Sequence, residues 1–123
     1  MIQGYVTEAL DPVIEIGLQR GEATESIPTI VDTGFSGHLC LSNQHEDKIE
    51  MVFHHVERYE LANGEVVAMD VFRGTIMFDE REQEVNLILT ASEDTLIGAA
   101  LLHDHLLAVN YPKRTVQVEQ ARP

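Results

Sequence analysis

The sequence has little basic charge and only one cysteine. Its 123 residues include 8 Lys or Arg against 21 Asp or Glu, a formal net charge of -13. Nucleic acids and anionic membranes are therefore poor partners, because their phosphates bind clustered Lys and Arg side chains. The lone cysteine, Cys40, excludes a disulfide within the chain and a structural zinc site built on several thiolates.

Long apolar runs and a targeting segment are also missing from the sequence. No apolar run approaches the length of a membrane span, and no basic segment precedes an apolar core near Met1. Hydrophobic residues nevertheless make up 44% of the chain, which is ordinary for a globular protein. We therefore expect a single domain over residues 1–123, acidic and cytoplasmic.

Strand patterns dominate the chain. Ile14, Ile16 and Leu18 alternate with polar or small residues and, with the segment 1–9, predict a first hairpin. Further strands are predicted over residues 26–32, 38–42, 74–80 and 84–90, with a last strand or strand pair over 108–120 that bends at Pro112. The sequence therefore predicts a mostly β domain.

Two segments predict helices. Ser42 or Asn43 is a candidate N-cap for a short helix within residues 43–52. The stronger helix pattern covers residues 97–108, and its apolar face would carry Ala99, Leu101, Leu102 and Leu106. We therefore expect one good helix, near residues 98–107.

Two loops between predicted strands carry informative residues. Asp32, Thr33 and Gly34 follow one apolar strand and precede another, which makes a rigid mount for one carboxylate. Asn63-Gly64 lies between residues suited to strands, and this pair is the strongest short-range signal for a hairpin.

A third motif, Leu96-Ile97-Gly98, opens the predicted late helix and completes an ordered series. The series of Asp-Thr-Gly, Asn-Gly hairpin and Leu-Ile-Gly resembles the retropepsin-like aspartic proteases of clan AA over residues 2–118. The variant Asp-Thr-Gly-Phe is similar to the small prokaryotic single-domain branch. This resemblance implies a closed or highly curved β barrel with a flap hairpin and one short C-terminal helix.

The resemblance also implies a chemistry. Two facing carboxylates that share one proton can activate a water and protonate the leaving amide, without a metal or cofactor. The chain carries only one Asp-Thr-Gly, since Asp94-Thr95 is followed by Leu96. A working pair therefore requires a homodimer in which each chain gives Asp32, and the substrate would be an extended polypeptide.

Roles for the loop residues follow from the same resemblance. Thr33 would form a hydrogen bond across the two-fold axis to the other chain, and Gly34 would allow close approach of backbone to substrate. Gly37 would permit a tight exit from the loop. The segment Leu96, Ile97 and Gly98 would pack beneath the loop, and the hairpin residues Leu61, Ala62, Asn63, Gly64 and Glu65 would form the flap.

The motif departs from many relatives at three places. Phe35 stands where many have a small residue or a hydroxyl, and it either lines a substrate pocket or anchors the loop in the core. Ser36 and Ala99 occupy the positions where retroviral members often pair an acid with an arginine. Because both partners are missing together, no unpaired charge is left buried.

Other functions compete with a peptidase. A catalytically silent relative would keep the dimeric cleft as a peptide-binding module, and in a purely structural β domain Asp32 would only stabilise a turn.

The pairs His54-His55 and His103/His105 invite a metal hypothesis. Adjacent histidines rarely chelate one ion, however, and residues two apart on a helix face different ways, so no metal site is expected. Cys40, on an apolar strand, is interpreted as a small buried hydrophobe rather than a nucleophile.

Overall fold

A computed structural model describes residues 1–121, which fold mainly as strands of one sheet. The ten strands are β1 (Ile2–Val6), β2 (Pro12–Arg20), β3 (Ala23–Val31), β4 (Leu39–Ser42), β5 (Met51–Glu60), β6 (Val66–Phe78), β7 (Arg81–Thr90), β8 (Leu96–Ile97), β9 (His105–Asn110) and β10 (Thr115–Gln120). A 3-10 helix covers Asn43–Lys48, and the helix α1 covers Ala99–Leu102.

The sheet bends back on itself. Its strand order is β5-β6-β7-β4-β8-β3-β2-β1-β10-β9, and β6 also pairs with β2. Most neighbours are antiparallel, whereas β3 pairs with β8 and β4 with β7 in parallel. The mostly β prediction is confirmed, and the β2–β6 pairing gives the sheet its curvature.

The concave side of the sheet holds the core. The largest fully buried side chains come from seven different strands: Phe78, Ile14, Leu18, Ile27, Leu39, Leu41, Ile76, Leu87, Ile97, Val71, Val85 and Val116. Strands such as β2 alternate buried and less buried positions, because successive side chains of a strand point to opposite faces. The buried hydroxyl of Thr29 donates to the Ile14 carbonyl at 2.9 Å, so this polar group does not destabilise the core.

The first predicted hairpin is present but short. β1 pairs with β2 only through Tyr5 with Val13 and Val6 with Pro12. Most of its length pairs instead with β10, from Ile2 opposite Val118 to Tyr5 opposite Thr115. The final segment forms the predicted strand pair, because β9 and β10 are antiparallel neighbours.

The predicted late helix is wrong over most of its length. α1 has four residues, and its C-cap is His103. Strand β9 occupies the second half of the predicted helix, where Leu107 and Val109 are partly buried and Leu106 is 57% exposed. Leu106 therefore lies on an outer strand face rather than on a helix, because pairing with β10 outweighs the helix propensity of the leucines.

The predicted helix over residues 43–52 is also corrected. Its first six residues form a 3-10 helix, Ser42 stands at the N-cap position without a side-chain capping bond, and Met51 already begins β5. Within residues 1–121, none of the helices has both the length and the apolar character required to cross a membrane.

Candidate active site

Asp32 lies directly after β3, at the point where that strand ends beside β8. Ile30 pairs with Leu96 and Val31 with Ile97 in parallel register. The Asp32 amide then donates to the Ile97 carbonyl at 2.9 Å. The backbone of Asp32 is therefore fixed by the neighbouring strand, although its side chain is partly exposed.

The residues after Asp32 form a tight turn that its own carboxylate stabilises. The Asp32 carbonyl accepts the Phe35 amide at 3.1 Å, and the carboxylate oxygen Oδ1 accepts the Gly34 amide at 3.0 Å. This is the local pairing that Asp side chains favour in turns. Among residues 1–121 no hydrogen bond reaches the other oxygen, Oδ2, so that oxygen is available to a ligand.

The segment after β8 holds the far side of the loop. Amides of Gly98, Ala99 and Ala100 donate to the carbonyls of His38, Phe35 and Gly37 at 3.0, 2.8 and 3.2 Å. A Cβ at Gly98 would stand 2.3 Å from the Gly37 oxygen and 2.4 Å from the Phe35 oxygen. The Leu96–Gly98 segment and the loop are therefore in direct backbone contact.

Phe35 both anchors the loop and lines a cavity. Its ring lies so close over Gly37 that a Cβ there would be 2.7 Å from Cζ, and Cδ2 faces Gly98. The same residue lines a cavity on the outer side of the loop. The two roles proposed for Phe35 are thus compatible, and Ser36 beside it is exposed at the rim of that cavity.

Asp32 lines an open groove of about 570 Å³. Its walls come from the start of β2, the end of β3, β8, the sheet-edge strand β9 and residues next to these strands: Asp11, Pro12, Ile30, Val31, Asp32, Thr33, Asp94, Leu96, Leu107, Val109 and Tyr111. Thr33 is exposed. The groove combines apolar side chains with the acidic residues Asp11, Asp32 and Asp94.

The second cavity, of about 280 Å³, lies between the loop and the strands β5, β6 and β7. Its polar lining includes His38, Glu57, Tyr59 and Asn86. Burial, followed by the charge of Arg73, lowers the pKa of His38, so its imidazole is neutral at neutral pH. Burial and a hydrogen bond to Glu57 raise the pKa of Tyr59 to about 12, so its phenol keeps its proton.

The predicted hairpin joins β5 and β6. Glu60 pairs with Val66, the Leu61 amide donates to the Glu65 carbonyl at 2.7 Å, and the Gly64 amide donates to the Leu61 carbonyl at 2.9 Å. Gly64 has a φ of +88°, which suits the bulge residue of a three-residue hairpin loop. The Asn63 side chain accepts the Glu65 amide at 2.9 Å, and residues 61–66 are all exposed.

Cys40 lies in β4, within reach of the Asp32 charge. Its side chain is partly exposed rather than fully buried. Burial, followed by the nearby Asp32 carboxylate, raises the pKa of its thiol above 9.0. At neutral pH the thiol is therefore protonated, as the sequence interpretation of a small hydrophobe requires.

The histidines singled out by the sequence line neither the groove beside Asp32 nor the second cavity. His54 and His55 are in contact, with their Nδ1 atoms 2.6 Å apart on β5. His103 caps α1 and His105 begins β9, so the two are not on one helix as predicted. Over residues 1–121 no three His, Cys, Asp or Glu side chains are grouped to hold a metal ion.

No pattern in the sequence marks Glu57, Tyr59 and His38 as site residues. Glu57 and Tyr59 are two apart on β5, which puts them on one face of the strand. Only the fold of the β5–β6 hairpin over the loop brings that face to His38. The alternation of side chains along β5 predicts that Glu57 and Tyr59 share a face, but it does not predict that this face contacts the loop.

Comparison with solved structures shows a likeness in fold. No family model matches the chain, and no curated protein matches it. The crystal structure of a retropepsin-like aspartic protease from Rickettsia conorii is similar with a TM-score of 0.64 and 16% sequence identity. The match covers 94% of this chain and 86% of that chain. The chain therefore has the fold of a retropepsin-like aspartic protease.

Proposed function

We propose that the chain is an aspartic endopeptidase that acts as a homodimer. One observation carries the proposal: Asp32 stands on a loop fixed from both sides and lines a groove, and among residues 1–121 only its Oδ1 accepts a hydrogen bond. The likeness in fold to a retropepsin-like aspartic protease supports the assignment of this acid as catalytic.

The chemistry requires two such acids. One carboxylate of a facing pair takes a proton from water, while the other, protonated, donates to the leaving amide nitrogen. Two like charges at close range cannot both be ionised, so the pair holds one proton over a range of pH. Asp32 supplies one carboxylate per chain, and Thr33 and Gly34 position it. No cofactor is needed in this mechanism.

The groove beside Asp32 is the surface we assign to the second copy. It contains Thr33 and the side chains of β9, and within residues 1–121 that strand pairs on one side only, with β10. An edge strand offers unpaired backbone groups to another chain. A two-fold axis at this groove would bring the two Asp32 loops together and cover Leu107 and Val109.

The β5–β6 hairpin is the segment we assign to the flap. Its tip, residues 61–65, is exposed and is held only by local hydrogen bonds. Such a hairpin can move without disturbing the core and can pair with an extended peptide. In the closed state the tip would exclude water from the substrate.

Two other functions remain as alternatives. A silent peptide-binding dimer would keep the dimeric cleft and the flap without hydrolysis. In a structural domain the bond between Asp32 Oδ1 and the Gly34 amide would be the whole role of the acid. The open Oδ2 favours the peptidase, because stabilising the turn uses only Oδ1. A cytoplasmic location and a single domain over residues 1–123 stay predictions from the sequence.

The test is cleavage of a mixed peptide library between about pH 4 and about pH 8, the range in which carboxylates and histidines titrate. The Asp32→Asn variant should abolish cleavage while the fold is kept, and Asp47→Asn, an exposed acid on the 3-10 helix, should leave it unchanged. Activity should follow a bell-shaped pH profile on the acidic side of neutrality. Cleavage that persists at the wild-type rate in Asp32→Asn would refute the assignment.

Assembly has its own test. Sedimentation at tens of micromolar, roughly the range of weak dimers, should show a dimer. Thr33→Ala should weaken it and reduce activity mainly at low protein concentration. A wild-type protein that stays monomeric under these conditions would contradict the two-chain site.

A further inference from the structure

The cavity between the Asp32 loop and strands β5, β6 and β7 has a size that suits one side chain. Phe35, which lines the cavity, follows Asp32 by three residues. Three residues span at most about 11 Å, so the cavity begins within that distance of Asp32. An extended peptide advances about 3.3 Å per residue. A peptide cleaved at Asp32 would therefore pass the cavity within about three residues of the cleaved bond.

Beneath a lining that is polar in larger part, this cavity has an apolar floor. It includes Leu39, Val71, Leu87 and Ile88, which are 1%, 2%, 1% and 7% exposed. Its volume of about 280 Å³ lies just below the roughly 300–1,000 Å³ of pockets for whole small ligands. The space thus suits one long side chain with an apolar stem.

The rim carries one formal negative charge, on Glu57. This carboxylate is 53% exposed, with Tyr59 beside it and the His55 Nε2 at 3.6 Å. Its neighbours add no anion, because the Tyr59 phenol is protonated and the His38 imidazole is neutral at neutral pH.

Arg73 borders the cavity but does not line it. Its Nη1 donates to Oδ1 of the lining residue Asn86 at 3.2 Å, and its Nε lies 3.4 Å from Glu84 Oε1, outside the cavity. Glu57 has no lysine or arginine partner among the ion pairs of residues 1–121.

We propose that this cavity is a substrate subsite for the side chain of lysine or arginine. The proposal rests on the peptidase function and names the substrate class of that site. The methylene stem would lie on the apolar floor, and the cation would reach the Glu57 carboxylate at the rim. A net charge of -13 per chain would also raise the local concentration of cationic peptides.

The experiment compares peptides that differ only in carrying Lys, Leu or Glu at each position within three residues of the cleaved bond. At one of these positions the wild type should cleave the Lys peptide with a higher kcat/KM than the Leu peptide. Glu57→Gln should lower that Lys-to-Leu ratio about three- to tenfold, the range expected for one charge-assisted contact at a partly exposed site. Glu15→Gln, an exposed acid on β2 away from both cavities, should leave the ratio unchanged.

Charge reversal supplies a result that a structural role for Glu57 would not give. Glu57→Lys should invert the preference, so that the Glu peptide is cleaved faster than the Lys peptide. The proposal would be overturned by a wild type without basic preference, or by one whose preference is the same in Glu57→Gln.

A binding measurement separates this proposal from the proposed activity. With the Asp32→Asn protein, fluorescence anisotropy of labelled peptides should show tighter binding of the Lys peptide than of the Leu peptide. Adding Glu57→Gln should remove the difference. If the wild type cleaves nothing, this result would still support the subsite while the peptidase assignment fails. Equal binding of both peptides would reject the subsite.

Discussion

Gly98 offers the sharpest test of how the Asp32 loop is held. Its backbone has φ -116° and ψ -177°, an extended conformation that any residue adopts. The need for glycine is therefore steric. An alanine Cβ would lie 2.3 Å from the Gly37 oxygen and 2.4 Å from the Phe35 oxygen, whereas ordinary contacts begin at 3.4 Å. The loop carbonyls must then move by about 1 Å, because carbonyls of the main chain cannot rotate away as a side chain could.

The expected loss of stability combines three effects. Overpacking of this kind costs about 1–3 kcal/mol. The displaced carbonyls also accept the Ala99 and Ala100 amides, and weakening these two hydrogen bonds adds about 1 kcal/mol each. The lower chain entropy of alanine in the unfolded state offsets about 0.4–1 kcal/mol. We expect Gly98→Ala to lower the free energy of unfolding by about 2–4 kcal/mol.

The assay is equilibrium urea unfolding followed by far-UV circular dichroism, since the chain has no tryptophan. Gly64→Ala is the control, because nothing lies within 4 Å of its Cβ and only its φ of +88° is unfavourable. That strain alone should cost about 1–2 kcal/mol. Peptidase activity should fall further in Gly98→Ala than in Gly64→Ala at equal folded fraction. A Gly98→Ala protein as stable as the wild type would refute the contact between the loop and the Leu96–Gly98 segment.

Two titrating groups give further predictions. Because the folded state lowers the pKa of His38 below 6.5, the unfolded chain binds its proton first and stability falls as pH drops through that value. His38→Asn should flatten this fall in urea titrations between about pH 7.5 and about pH 5; an unchanged slope would contradict the assignment. Because Asp32 helps to raise the pKa of Cys40, Asp32→Asn should speed alkylation of Cys40 by iodoacetamide near pH 8, and an unchanged rate would place the acid farther away.

Local signals in the sequence were sufficient for the two loops. Asn63-Gly64 predicts its hairpin because the turn geometry depends on those two residues and on the strands beside them. The strand and loop around Asp32 follow equally from apolar residues on both sides. The roles of both loops in catalysis stay predictions.

Long-range pairing explains what the sequence did not reveal. Residues 105–110 are rich in leucine and suit a helix, yet they form β9 because β10 supplies a partner. The Ala99 and Ala100 amides, which have no acceptor within α1, bond to loop carbonyls more than sixty residues earlier. The cavity containing Glu57 and His38 also depends on contacts between distant parts of the chain, which the periodicity of apolar residues in the sequence does not reveal.

The position of β1 has a consequence for biosynthesis. β1 pairs with β10, with Ile2 opposite Val118, so partners more than one hundred residues apart must meet. Such non-local pairing forms slowly, and on the ribosome it waits until the last strand has emerged. Since β9 is attached to the rest of the sheet through β10, the groove beside Asp32 is completed only at that final step. A nascent chain therefore carries Asp32 before the groove beside it exists, and under the proposed function it would lack the surface for a second copy until β9 and β10 join the sheet.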